Sequence, residues 1–466
     1  MKTMRLLPIA LLVTATLSGC AVGPAYERPA TPEPAAFKEA QGWVPAAPAD
    51  ALDRGPWWQL FNDPVLNELA ASVEVSNQNV AAAVAAYAQA RAIVAQERAA
   101  LFPSVSLGLS ADRSGVRNGG ASTAYRLNLG GDWEPDVWGR LRAGVTSAQA
   151  SAEATAADLA SARLSAQGEV AANYFTIRAL DAQRTLLESS IAGYERELRI
   201  TENRYNVGIV ARTDVLQAQT QLANARNDAL TLQRQRAQFE HAIAVLVGKA
   251  PSEFTLAPAA AWQAHVPAIP VGVPATLLQR RPDIAAAERD VAAANAEIGI
   301  ARSAYFPNIG LSASLGSGGA RFSDLFSASN AAWSFGLSAA QSIFNAGATR
   351  AGVAGAEARH QAAVARYRQT VLNAFADVED QLTAVRVLEQ QQELRRVASE
   401  AADKVEQQIL NRYRAGQVSY SEVVQAQNTA LNARRSLVQV QADRQAAAVT
   451  LIQALGGGWR VGQDPM

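Results

Sequence analysis

Two stretches of this 466-residue chain are near copies of one another. Residues 205–226 read YNVGIVARTDVLQAQTQLANAR, and residues 413–434 read YRAGQVSYSEVVQAQNTALNAR. Tyr205 matches Tyr413, Gly208 matches Gly416, Val215 matches Val423, Gln217 matches Gln425 and Arg226 matches Arg434, each 208 residues further on. A repeat that long makes the fold two versions of one unit, and every local motif has to be placed within that plan.

Beyond each glycine the chain steps by three and four. Val215, Ala218, Leu222, Ala225, Ala229, Leu232, Arg236, Phe239, Ile243 and Leu246 form one series. Val423, Ala426, Ala430, Ala433, Leu437, Val440, Arg444, Ala447, Leu451 and Ala454 form its copy. This is the seam of a left-handed coiled coil, interrupted once in each copy by an arginine. No proline occurs between Pro135 and Pro251 or between Pro307 and Pro465. Helices over about 140–206 and 347–413 would each run roughly 100 Å at 1.5 Å per residue. Gly208 and Gly416 fall where each long helix must turn back, a place that favours left-handed backbone.

Upstream of each long helix the period changes to two. Val105, Leu107 and Leu109 alternate with small polar residues, then Tyr125, Leu127, Leu129 and Trp133 do the same after a Gly-rich loop. Ile309, Leu311, Ala313 and Leu315, followed by Trp333, Phe335, Leu337 and Ala339, repeat the pattern. Each reads as a hairpin with one apolar and one small or polar face. Strands of about ten residues can cross a bilayer when tilted. Phe102, Tyr125, Trp133, Tyr305, Phe306, Trp333 and Phe344 sit towards their ends, where an interfacial girdle would lie. The hairpins read as isolated between long helices. A soluble half-buried sheet would show the same alternation; if the hairpins lie in a membrane, where four strands cannot close on themselves and unpaired edges are not tolerated, several chains must share one barrel.

The chain opens with Lys2 and Arg5 and an apolar run from Leu6 to Leu17, the pattern of a secretory signal and too short to span a membrane. It ends in Leu17-Ser18-Gly19-Cys20, which resembles the lipobox of bacterial lipoproteins. Cys20 is the sole cysteine, so no intrachain disulfide forms, and it is the expected lipidation site. The expected organisation is a signal peptide at 1–19, a lipidated extended arm at 20–63, a first repeat at 64–250 (hairpin about 103–133), a connecting loop at 251–275, a second repeat at 276–458 (hairpin about 308–343) and a tail at 459–466. Asp63-Pro64 starts the first helix as N-cap and first turn, and Trp57 and Trp58 pin the arm by packing.

Balanced charge, 42 basic against 42 acidic residues, gives no footprint for nucleic acid. Three histidines, at 241, 265 and 360, lie far apart, and neither a metal-ligand cluster nor a phosphate loop is present. No enzyme activity and no cofactor are expected.

The segments CAVGPAYERP (20–29), WWQLFNDPVLNEL (57–69), YNVGIVARTDVLQAQ (205–219) and LLQRRPDIAAAERDVAAANAEIGIARSAYFPNIGLSASLG (277–316) resemble the TolC-like outer-membrane efflux channels, specifically their lipoprotein branch. The resemblance implies a mostly α fold with membrane β: a homotrimer with a twelve-stranded β-barrel continuous with a long coiled-coil barrel. It implies anchorage in outer-membrane lipid and partnership with a periplasmic adaptor (membrane fusion) protein and an inner-membrane pump. The implied function is gated passage of small toxic compounds out of the cell. The same fold can serve protein secretion, and a lipid-anchored coiled-coil adaptor would share the seams and the lipid.

In that family a tyrosine at the Tyr413 position bonds an acidic residue at the Asp214 position, so the resemblance implies a latch there, with Thr213 beside it. Relatives carry acidic rings at the mouth; here Glu422 keeps one charge, Gln425 lacks the other, and Val418 stands where a basic residue assists the latch.

Overall fold

The computed structural model describes residues 22–31, 34, 36–40, 56–117, 119–259, 262–267, 269 and 280–457. Cys20, the signal peptide and the 459–466 tail lie outside the described residues, as does part of the connecting loop. The helices are α1 (Pro64–Ser76), α2 (Gln78–Ala99), α3 (Arg140–Asn206), α4 (Arg212–Leu246), α5 (Pro282–Ser303), α6 (Ala348–Arg414) and α7 (Tyr420–Ala454). The strands are β1 (Ser104–Gly115), β2 (Ala121–Trp133), β3 (Asn308–Gly319) and β4 (Ala331–Ala340). Equivalent elements agree in length: α3 and α6 have 67 residues each, α4 and α7 have 35 each, α2 and α5 have 22 each. No helix is long and apolar enough to cross a membrane among the described residues.

The chain divides into two compact units. One gathers residues up to Thr31, Ala85–Ala157 and Ile284–Thr370 and contains the sheet. Its four strands are antiparallel in the order β1-β2-β3-β4. The hairpins are therefore not isolated within the chain as their sequence context implies: β2 pairs with β3, from Tyr125 opposite Gly319 to Trp133 opposite Leu311. Short-range periodicity cannot reveal a ladder between residues this far apart in the chain.

The other unit gathers Pro32–Val84, Asp158–Asp283 and Val371–Met466. Asp63 caps α1, its carboxylate accepting from the Val65 and Leu66 N–H groups at 2.9 and 3.1 Å, worth about 1 kcal/mol. The Tyr174 hydroxyl donates to the same carboxylate at 2.6 Å. Trp57, Trp58 and Phe61 are buried edge-to-face ahead of it, so the tryptophan pair does pack. Further up the arm, buried Phe37 meets Phe375, and Glu379 accepts from the Lys38 and Glu39 N–H groups at 2.7 and 2.9 Å.

The seam is the core of this unit. Leu222, Ala225 and Leu232 pack with Leu180, Leu187, Tyr194 and Leu431, and Ala229 and Phe239 border them. The arginine in each seam pairs with an acid one helix away. Arg236 donates to Asp181 at 2.7 Å and to Glu240 at 2.9 Å. Its copy Arg444 donates to Glu389 at 3.1 Å and Gln392 at 2.6 Å. Asp181 and Glu389 are themselves 208 residues apart, so the repeat preserves the pair and not the arginine alone.

Candidate channel wall and helical-turn gate

Directly opposed residues share a face of a sheet, so the ladders define both faces of the four strands. Leu107, Leu129, Leu315 and Trp333 make one continuous row, and Ala313–Phe335 and Leu311–Leu337 make its neighbours. On the opposite face Ser106, Gly130, Ser314 and Ser334 form a row of small groups, with Ser314 and Ser334 hydroxyls 2.8 Å apart. The apolar face is bare in the single chain: Leu107 is 71% exposed, Leu337 70% and Trp333 80%. A patch of that extent marks a lipid or protein contact and not a water-facing surface. Among the described residues β1 pairs with β2 alone and β4 with β3 alone, leaving two unpaired edges.

Aromatic residues collect at both ends of the strands. Phe102, Trp133, Tyr305 and Phe306 mark the end nearer the helices, with the Trp133 indole donating to the Leu101 carbonyl at 3.0 Å. Tyr125 and Phe322 meet edge-to-face at the other end, 6.0 Å apart. Amphipathic rings at two levels, separated by aliphatic rows, match the belts that flank a bilayer's hydrocarbon.

The helical turns form the second candidate site. Gly208 and Gly416 have φ of +77° and +74°. Each ends a long helix in the same way: Gly208 N–H donates to Tyr205 O and Ile209 N–H to Arg204 O, while Gly416 and Gln417 donate to Tyr413 O and Arg412 O, all at 2.8–2.9 Å. This is the Schellman closure, which needs a left-handed residue.

The repeated tyrosines diverge. Tyr205 is 40% exposed, whereas Tyr413 is buried in a cluster with Ala218, Tyr420 and Val423. Tyr420 lies 5.4 Å from the Tyr413 ring, and the Arg204 guanidinium stands over that ring at 5.5 Å. The Tyr413 hydroxyl is buried without a hydrogen-bond partner, so the bond to Asp214 is not made within this chain. Asp214, half-buried in the first turn of α4, is close enough to act electrostatically on Tyr420. Burial, with Glu197, Tyr413, Tyr194 and Asp214 around it, pushes the Tyr420 phenol well above its ordinary range.

The remaining expected gate residues are exposed. Thr213, Glu422 and Gln425 face solvent in the single chain, and Glu422 accepts from the Ser419 N–H at 3.3 Å as part of a capping box on α7. Val418 borders the tyrosine cluster as an apolar contact. The histidines at 241, 265 and 360 do not meet, and no acidic, His or Cys cluster that could hold a metal occurs among the described residues.

The sequence profile of the family described as "Outer membrane efflux protein" matches residues 69–249 and again 273–457. The chain belongs to this family. The Pseudomonas putida "Probable efflux pump outer membrane protein TtgC" is 32% identical, covering 97% of this chain and 95% of its own. The Pseudomonas aeruginosa "Pyoverdine export outer membrane protein OpmQ" is 31% identical, covering 99% and 98%. The solved outer-membrane channel OprN superposes with a TM-score of 0.87 at 32% identity, over 94% of this chain and 100% of that one. The open-state Neisseria gonorrhoeae MtrE channel gives 0.84 at 27%, over 94% and 98%.

This efflux channel is thus an outer-membrane protein of a bacterium. Two parts of its site were not foreseen. Tyr420 has no counterpart in the repeat, where Arg212 holds the matching place, so the duplication carried no signal for it. Asp181 could have been found: an acid at the same offset as Glu389, inside each long helix, pairs with the one charged seam position.

Proposed function

We propose that three copies of this efflux channel share one twelve-stranded barrel, and that their helical hairpins form the periplasmic conduit joined by an adaptor protein to an inner-membrane pump. The observation that carries this reading is a four-stranded sheet with one bare apolar face and two unpaired edges. Unpaired backbone in hydrocarbon costs several kcal/mol per group, so the edges require partners. Glycine, serine and alanine on the other face leave room for an open lumen, which favours twelve strands over eight. The relatives named for efflux and for pyoverdine export support small exported compounds as the cargo, and the leader with Leu17-Ser18-Gly19-Cys20 supports a lipid on Cys20. The native mass of the detergent-extracted protein tests the assembly: a trimer stable only in detergent is expected, and a water-soluble monomer released by removing the lipid would end the reading.

The turns are the gate in this reading. A buried phenol without a partner costs about 1–3 kcal/mol, and Tyr413 is poised to recover that through Asp214 when hairpins of neighbouring copies close together. A hydrogen bond to a carboxylate contributes about 1.5–3 kcal/mol. Asp214→Ala and Tyr413→Phe should therefore each raise the open fraction about tenfold or more in planar bilayers. An open fraction unchanged in both variants would rule the latch out.

A further inference from the structure

At the strand tips the apolar face of the sheet is no longer bare. Ala111, Tyr125 and Gly319 oppose one another two rows beyond Leu107, Leu129 and Leu315, on the same face. The chain leaving β3 folds back over that row as a 3-10 turn, Phe322–Phe326, which rests on β3 and β2 and so leans away from β4. Three contacts fix the side on which it lies. The Phe322 ring meets the Tyr125 ring edge-to-face, 6.0 Å between centroids. Gly319 has no room for a Cβ, which would overlap the Asp324 side chain. The Ser317 hydroxyl, again on the apolar face, donates to the Asp324 carbonyl at 3.5 Å. At the same height the opposite face carries an ion pair, Arg126 to Asp112 at 2.9 Å. The turn therefore covers the outside of the wall and not the lumen side.

Asp324 holds the turn together. Its carbonyl also accepts from the Asn330 amide at 3.0 Å and the Ser327 N–H at 3.2 Å, and its carboxylate accepts from the Arg321 N–H at 3.0 Å. Leu325 is buried, whereas Phe322 and Phe326 are 53% and 75% exposed with their rings 5.8 Å apart. A loop that buries its leucine and presents two phenylalanines is built for a contact other than water. Cations flank the pair: Arg321 precedes it, and Arg113 lies one row beyond Ala111 on the same face, both exposed. Aromatic rings with long basic side chains beside them are the composition of a membrane's headgroup layer.

We propose that the turn between β3 and β4 is a lipid-binding foot, in which Phe322 and Phe326 sink among the acyl chains of the outer leaflet while Arg321 and Arg113 reach its headgroup phosphates. The occupant is lipid because the phenylalanine pair is continuous, through Tyr125, with the aliphatic rows of the same face. The inference rests on the reading that the sheet crosses the bilayer with its strand tips outside. It makes this turn a device that fixes the height of the wall in the membrane, and it leaves the mouth of the lumen uncovered on this side.

Photocrosslinking of the full chain in intact outer membranes tests the foot. A p-benzoylphenylalanine in place of Phe326 should form acyl-bearing adducts, read by mass, and so should the same group in place of Leu315. In place of Ser314, on the lumen face, it should form none. Gly319→Val drives a side chain into Asp324 and should abolish the Phe326 adduct while the Leu315 adduct persists, which shows that the barrel wall is still in place. Lipid adducts at Leu315 with none at Phe326, or a Phe326 adduct to protein instead of lipid, would overturn the foot and leave the membrane reading standing. A Phe326 adduct undiminished in Gly319→Val would overturn the seating of the turn on the strand. Lipid adducts at neither position would remove the membrane reading and the foot with it.

Discussion

Asp181→Ala is expected to destabilise the helical unit by about 3–5 kcal/mol, the scale for removing one partner from a buried ion pair. The Asp181 side chain is 1% exposed and faces Arg178 at 6% and Arg236 at 12%. It also accepts from the Ala259 N–H at 3.3 Å. The two guanidiniums also hold the connecting loop, Arg178 donating to Ala257 O at 2.8 Å and Arg236 to Leu256 O at 2.5 Å. Without the carboxylate, two cations remain buried with carbonyls and a single remaining acid, Glu240. The repeat supplies an internal control. Glu389, paired to Arg444, is 70% exposed, and Glu389→Ala should cost no more than about 1 kcal/mol. Denaturant unfolding in detergent measures both; equal losses would mean that burial does not set the strength of these pairs.

The second large effect concerns the sheet. Leu315 and Ser314 are neighbours on β3 whose side chains point to opposite faces. Leu315→Arg should cost about 2–4 kcal/mol of folding into lipid, as for a cation near the middle of a barrel's outer face. Ser314→Arg should leave insertion intact and shift ion selectivity or conductance. Refolding into liposomes, followed by bilayer recording, separates the two. Equal insertion of both variants would mean that the aliphatic rows do not meet hydrocarbon.

Much of the fold was legible because its signals are local. The proline-free intervals predict helices that the structure places at Arg140–Asn206 and Ala348–Arg414, the seams predict those at Arg212–Leu246 and Tyr420–Ala454, and the alternation of Leu107 and Leu109 against Ser106 and Gly108 marks a strand without knowledge of its partner. What stayed hidden depends on long-range packing. The equivalence of Tyr205 and Tyr413 gives no hint that one is exposed and the other buried, since burial depends on what Val423 and Tyr420 pack against. The latch was inferred from resemblance, and within one chain its donor has no acceptor. The packing of residues 22–30 on α5 was illegible for the same reason: the close approach of Gly23 and Gly299 joins backbone far apart in the chain.

The β2–β3 ladder also dictates an order of events. Trp133 cannot find Leu311 until nearly two-thirds of the chain has been made and exported, and closing so long a loop is entropically costly and slow. Until then the first hairpin is a lone pair of strands with an apolar face, marginal by itself in water and prone to aggregate. Biogenesis of this channel therefore includes an interval in which one hairpin, half of this chain's sheet, must be kept from sticking, and its length is set by the rate at which the second hairpin arrives.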